Sequence, residues 1–286
     1  MSAANEPTQR LRQWVAAAAD PSRCRLRQAV RTLLEAIAAT PSLQRQMILK
    51  GGMLLGIVHG SSRFTKDVDF STPQHFGDMD EGALRGALEE ALVAAVERLG
   101  YGLDCRIQRW NVNPERGGTT PTLQVNIGYA LVGSPAHRRL QKLQATDILP
   151  LDYSFNETAP FVDLLACDEG RCVQTYDLHT LIAEKYRALL QQESRNRVRG
   201  QDVYDLHFLL TQEADTFVLD RQSVLDILRE KAAARNIDSH RAALRDENLQ
   251  ERARDSYAGL EFDADRLPAY EEAFGVVRAF YEALPW

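Results

Sequence analysis

The stretch 50-KGGMLLGIVHGSSRFTKDVDFS-71 joins a glycine pair, an apolar run, a small polar turn and two aspartates two residues apart. Residues 53–58 have the composition of a helix and His59-Gly60-Ser61-Ser62 that of a turn; residues 66–71 alternate polar and apolar as a strand does. Side chains two apart on a strand share a face, which predicts that Asp67 and Asp69 project together with Cα atoms roughly 7 Å apart. Like charges so placed repel unless a cation sits between them. Mg2+ (or Mn2+) is the usual solution, because it takes hard oxygen ligands and leaves positions open for phosphates. Alone, such a pair more often marks a solvated strand end. Gly51 and Gly52 narrow the choice: missing side chains let a ligand approach the backbone, and free N–H groups at a helix start attract phosphate. Together the two features match what nucleotidyl transfer needs, one element holding a triphosphate and the other the metal that bridges it.

Outward from this stretch the chain changes character once. Residues 23–40 read as an amphipathic helix, followed by a break in which Ser42 is the expected N-cap of a short helix. Residues 80–99 read as a helix closed by Gly100. Residues 101–109 and 121–131 read as strands around the loop NVNPERGGTTP. Short β-like pieces occupy 133–175, and every segment from Asp177 onward has helical periodicity. The expected organisation is an α/β domain over 1–175, with N-terminal helices and a mixed sheet, then a helical domain over 176–286.

Bulk properties bound the function. With 286 residues the chain can bury a core without staples, and 44% hydrophobic with 26% charged residues is ordinary for a soluble globular protein. A net charge of −6 excludes a uniformly basic nucleic-acid binder while leaving room for a local basic groove. Cys24, Cys105, Cys167 and Cys172 form no Cys-x-x-Cys pair and no zinc spacing, so reduced thiols are expected. There is no signal-peptide core and no apolar run long enough to span a bilayer, which predicts a cytoplasmic protein with no membrane partner.

A second block lies in the helical part. Lys185 sits on a predicted helix whose apolar face includes Leu181, Ile182, Leu189 and Leu190. A lysine there reaches a triphosphate as a compact point charge, or pairs at the surface with Glu184. Asp202 and Asp205 are three apart and share a helical face. They orient Lys185, act as a base, or serve only the first turn of their helix. Arg63 steadies a triphosphate or pairs with Asp67. Arg195, Arg197 and Arg199 punctuate a polar turn that suits RNA phosphates or a solvated loop equally.

Lys50-Gly51-Gly52, then Arg63-Phe64-Thr65-Lys66-Asp67-Val68-Asp69-Phe70, then Lys185 with Asp202 and Asp205, resemble in order the signature of the AbiEii/AbiGii toxin family. These are polymerase-β-like nucleotidyltransferases and include the MenT-type toxins. The resemblance implies a polymerase-β-like mixed sheet with flanking helices, followed by a C-terminal helical bundle, with the active site in the cleft between them. It implies transfer of NMP from an NTP, with pyrophosphate release, in a bacterial toxin–antitoxin or phage-defence system. The tRNA 3′ end is the expected acceptor and a separately encoded antitoxin the expected partner. Asp67 and Asp69 are assigned to the metal. Lys50, Gly51, Gly52, Arg63, Thr65, Lys66 and Lys185 are assigned to the nucleotide, and Asp202 and Asp205 join the catalytic set. A serine of the MenT toxins at the position of Thr65 is phosphorylated to block activity, which marks Thr65 as a regulatory candidate. Members often carry a third carboxylate on a later strand; residues 122–128 offer Gln124 and Asn126 instead, so a base from Asp202 or Asp205, or a single metal, is expected. Rival readings are transfer to a protein hydroxyl or a small molecule, and a nucleotide-binding regulator without turnover.

Overall fold

Alternation of buried and less buried residues marks the first part of β4 (Thr122–Leu131) and the whole of β5 (Ile148–Ser154). In β4 the buried Leu123, Val125 and Ile127 alternate with Gln124 and Asn126, and in β5 Leu149, Leu151 and Tyr153 alternate with Pro150 and Asp152. One face of these strands is therefore core and the other polar. The computed structural model describes residues 6–113, 121–212, 219–262 and 267–286.

Two N-terminal helices, α1 (Glu6–Ala16) and α2 (Pro21–Ala39), are followed by the short α3 (Pro41–Gln44) and the strand β1 (Ile48–Lys50). The helix α4 (Gly51–Leu54) runs on into a π-turn over Leu55–His59. Then come β2 (Val68–Ser71), α5 (Glu81–Leu99), β3 (Leu103–Asn113), β4, α6 (Pro135–Gln141), β5, β6 (Val162–Ala166) and β7 (Cys172–Tyr176). The sheet is mixed, with order β3-β4-β5-β2-β1-β7-β6. β1 pairs antiparallel with β2 and parallel with β7; β2 pairs parallel with β5; β3, β4 and β5 form an antiparallel meander. Asp20 caps α2 by accepting from the Ser22 and Arg23 N–H groups, and Asp80 caps α5, which ends at the left-handed Gly100. α2 and α5 pack on each other and both contact β3.

The remaining helices are α7 (Leu178–Leu190), α8 (Gly200–Gln212), α9 (Arg221–Ala233), α10 (Glu247–Tyr257) and α11 (Tyr270–Glu282). They pack as α7 on α8 and α9, and α8 on α10 and α11, around Leu181, Ile182, Tyr186, Leu206, Leu225 and Tyr281. By contacts the chain forms two compact units: residues 1–58 with 65–175, and residues 59–64 with 176–286. The six residues His59–Phe64 thus pack with the helices, not the sheet that flanks them in sequence. Phe64 N–H donates to the Glu261 carbonyl, and Arg63 bridges to Phe262.

Several local expectations are corrected. The strand expected at 66–71 begins at Val68, so Thr65, Lys66 and Asp67 precede it. The helix expected from Met53 starts at Gly51. Thr40, not Ser42, holds the N-cap position of α3, because Pro41 takes the first helical position. β3 runs four residues past 109, since pairing with β4 continues the ladder from Arg109↔Asn126 to Asn113↔Thr122. The rest of the loop expected there, 114–120, lies outside the described residues. Region 133–175 contains a helix, α6, whose N-cap Ser134 accepts from the His137 N–H.

Candidate active site

The sequence-predicted residues fall into two constellations, one in each unit. In the sheet unit, Lys50 ends β1 in extended conformation and Gly51 turns the chain at φ 77°. A Cβ on Gly51 would lie 2.2 Å from Asp69 Oδ2 and 3.0 Å from its Cγ. Gly51 therefore answers two demands, a left-handed backbone and room for the Asp69 carboxylate. Cross-strand register sets Lys50 opposite Asp69, Asp69 opposite Asp152, Asp152 opposite Gln124, and Gln124 opposite Asn111. Paired residues share a face, so one polar row crosses five strands, from a cation through two carboxylates to two amides. Gln124 Nε2 donates to Asp152 Oδ1 at 3.4 Å. Asp67, exposed just ahead of β2, lines a cleft of about 260 Å³ together with Asp152, Gln124, Asn126, Asn111 and Arg109. The Lys50 ammonium donates to Glu157 in a buried ion pair.

These carboxylates fit a hard divalent cation by donor type, since Asp67, Asp69 and Asp152 offer oxygen and no sulfur or imidazole stands among them. Among the described residues no three His, Cys, Asp or Glu side chains converge on a closed metal cage.

In the helical unit the charges are buried. Arg63 Nε and Nη2 donate to the two oxygens of Asp205 at 2.6 and 2.7 Å, a bidentate fork. Lys185, on α7, donates to Asp205 Oδ2 at 2.6 Å and to Asp202 Oδ1 at 3.0 Å, both on α8. Asp205 is fully buried and Lys185 and Asp202 are each 5% exposed. Asp202 Oδ2 accepts no hydrogen bond, and Arg199 stands 3.7 Å from it. Burial alone would pull the Lys185 pKa down, but Asp205 and Asp202 outweigh it and hold it above the ordinary lysine value. Burial likewise works to raise Asp205, and Arg63 and Lys185 override it, leaving the carboxyl below the usual range. For Arg63, burial is outweighed by Asp205 and the pKa rises.

The pairing alternatives raised by the sequence resolve accordingly. Arg63 pairs with Asp205 instead of Asp67. Glu184 serves Arg187 and Lys231 instead of Lys185. Lys185, Asp202 and Asp205 come together, and the i,i+3 spacing does place both aspartates on the side that meets Lys185. Lys66 is exposed and Thr65 half-buried on the segment before β2; Asp67 also precedes the strand, so the common strand face predicted for Asp67 and Asp69 is not formed by β2 itself. Asp152 and Glu157 were not anticipated. A carboxylate, Asp152, stands one strand over from residues 122–128, opposite Gln124; its place at a polar position of ILPLDYS is that of any acidic strand residue, and only the register brings it beside Asp69.

The family model of the AbiEii nucleotidyl transferase toxins, of type IV toxin–antitoxin systems, matches residues 32–276. Among solved structures, MenT4, a nucleotidyltransferase toxin from Mycobacterium tuberculosis, aligns with TM-score 0.55 at 17% identity, covering 96% of this chain and 88% of that one. JHP933 from Helicobacter pylori aligns with TM-score 0.45 at 16% identity, covering 90% and 89%. The likeness to MenT4 is one of fold. No curated protein matches the sequence.

Proposed function

We propose, from the premise that this chain belongs to the AbiEii nucleotidyltransferase toxin family of type IV toxin–antitoxin systems, that it is a Mg2+-dependent enzyme transferring NMP from an NTP to the 3′ end of tRNA, which arrests translation and growth. As a member of that family it is a nucleotidyltransferase whose substrate is an NTP and whose partner is an antitoxin. The observation that carries the finer reading is the register Asp69↔Asp152 beside Gly51, which sets two carboxylates in one row at the mouth of a glycine turn.

In this reading an acceptor hydroxyl oxygen attacks the α-phosphorus. The bond from the α-phosphorus to the bridging oxygen breaks, and pyrophosphate leaves with that oxygen. The hydroxyl proton passes to a carboxylate, and the register of Asp152 opposite Asp69 supports Asp152 in that role. Asp67 and Asp69 would hold the metal, which would supply positive charge against the phosphates. Gly51 and Gly52 lie against the triphosphate, with Lys50 and Lys66 as neighbouring cations. Lys185 supplies a permanent positive charge, because Asp205 and Asp202 keep it protonated. Arg63 acts through Asp205 as a positioning residue for Lys185. Phosphorylation of Thr65 would set a dianion two residues ahead of Asp67 and repel the triphosphate. Growth arrest of this kind suits phage defence in the cytoplasm; no helix among the described residues is long and apolar enough to cross a membrane.

Incubating the protein with Mg2+, each labelled NTP and total tRNA tests this. Label on tRNA is the expected outcome. Label on protein or on a small molecule would favour the rival acceptors. Nucleotide binding without any transfer would leave a non-catalytic regulator and sink the proposal.

A further inference from the structure

One buried charge of the sheet unit takes no part in the transfer steps above. Glu157 follows β5 and is 7% exposed, as deeply set as Lys50 at 8%, whose ammonium donates to it. The backbone around Glu157 is held closely. Past Ser154, whose carbonyl accepts from the Thr72 N–H, Phe155 enters the core. Asn156 then turns the chain at φ 57°, a left-handed conformation that asparagine tolerates. Its N–H donates to the Gln74 carbonyl, and its Oδ1 accepts from the Phe76 N–H. Glu157 N–H donates to the Thr72 carbonyl at 3.0 Å. The Glu157 carboxylate is thus carried on a segment stitched to the residues that follow β2. In the sheet β2 lies between β5 and β1, so the ion pair ties the end of β1 to this segment across it.

A buried ion pair commonly holds a fold no better than well-packed apolar side chains of the same volume. The place of this pair in the site is more telling. Register sets Lys50 opposite Asp69 and Asp69 opposite Asp152, and the left-handed Gly51 is next in the chain. Lysine carries its charge on a flexible four-carbon stem with rotatable donors. Without Glu157 that ammonium would be left to the carboxylates of its own row, Asp69 first, and would take up oxygens that a divalent cation needs. An anchor with its own negative charge, carried outside the row, fixes where the ammonium stands.

We infer that Glu157 is a positioning residue of the nucleotide site: acting through Lys50, it fixes the ammonium beside the Gly51–Gly52 turn as a cation for the phosphates of the NTP. Glu157 itself touches no substrate. This role rests on the transfer reading above, in which Lys50 is a neighbour of the triphosphate.

The test is a double-variant cycle on the full-length protein, with Lys50→Met, Glu157→Leu and the two combined. Each is read by unfolding in urea and by titration with a fluorescent NTP in Mg2+, the base being the one that wild type binds tightest. Each single variant leaves one buried charge without its partner and should lower the urea midpoint. The double variant, apolar at both positions, should recover it. NTP affinity should part from stability. It should fall about tenfold in Glu157→Leu, about as far in Lys50→Met, and no further in the double variant. Should a single variant fail to fold, the double variant decides: affinity lost with the midpoint restored supports the role. A double variant that regains both midpoint and affinity would make the pair architectural and overturn the inference. So would a folded Glu157→Leu that binds NTP as tightly as wild type, or losses that add in the double variant, since Glu157 would then act apart from Lys50. Wild type that binds no NTP overturns the transfer reading and this inference with it. NTP bound by wild type but passed to no acceptor overturns the transfer reading alone, and the cycle still decides on Glu157.

Discussion

The two aspartate pairs of this protein share a chemistry and differ in surroundings. Asp67 is exposed and Asp69 half-buried, at the start of the central strand β2, where a glycine leaves room for the Asp69 carboxylate. Asp202 and Asp205 are buried, and Asp205 accepts three hydrogen bonds from Arg63 and Lys185. Taking a carboxylate out of water costs several kcal/mol, recovered only when cations and hydrogen bonds surround it. The helical pair is therefore committed to holding Arg63 and Lys185 in place. The sheet pair remains reachable by a ligand from solvent. In one chain, burial commits one aspartate pair to architecture and leaves the other the pair to which the proposed chemistry is assigned.

The largest effect should come from breaking the buried network. Asp205→Ala leaves two cations without their shared partner and should cost about 3–5 kcal/mol of stability, read as a lowered denaturant midpoint. Asp69→Ala, read the same way, should stay within about 1 kcal/mol of wild type. If both variants lose stability equally, the division between architecture and chemistry fails. Activity should show the reverse for conservative changes in the sheet: Asp69→Asn and Asp152→Asn should each reduce transfer on the order of a thousandfold, about 4 kcal/mol of barrier, with unfolding curves intact. A fully active Asp152→Asn would return the base to Asp202 or Asp205. Gly51→Ala should fall between the two classes. The left-handed backbone costs about 1–2 kcal/mol with a side chain, a cost that Gly60 at φ 75° shares; at Gly51 the new methyl must also displace the Asp69 carboxylate, so Gly51→Ala should lose transfer as well as stability, whereas Gly60→Ala, with open space around it, should lose stability alone.

The smallest effect is in pH. Asp205 is more acidic folded than unfolded, so its contribution is complete above the ordinary aspartate pKa of about 3.9 and is lost as pH falls through its lower folded value. Wild-type stability should therefore fall with acid below about pH 4, and Asp205→Ala should flatten that limb in an acid-unfolding titration. An unchanged limb would mean that other carboxylates dominate it.

Periodicity made much of the architecture legible. The long helices, the β3–β4 pair and the switch to an all-helical remainder follow from repeats of two and 3.6. β1 escaped because three residues carry no period, and α6 because it sits among short strands. In the site, the i,i+3 spacing of Asp202 and Asp205 and the glycine–aspartate stretch were local signals and were readable. The Arg63–Asp205 fork joins residues 142 apart, and the Asp69↔Asp152 match is a matter of register between parallel strands. Neither leaves a trace in spacing. Asp152 was missed for that reason: nothing local distinguishes it from any acidic residue at the polar position of a strand.

The six-residue excursion His59–Phe64 bears on how such a toxin can be cut or made. The peptide passes from one unit to the other three times, at 58/59, 64/65 and 175/176, so a gene fragment ending near 175 would contain Arg63 without the aspartate that neutralises it. During synthesis Arg63 emerges about 140 residues before Asp205, and the Phe64 backbone waits longer still for Glu261. A ribosome therefore releases most of the chain before this ion network can close. Co-expression of residues 1–175 with 176–286 should fail to reconstitute toxicity, whereas a nick in an exposed loop of the finished protein, leaving both pieces folded, should not abolish it.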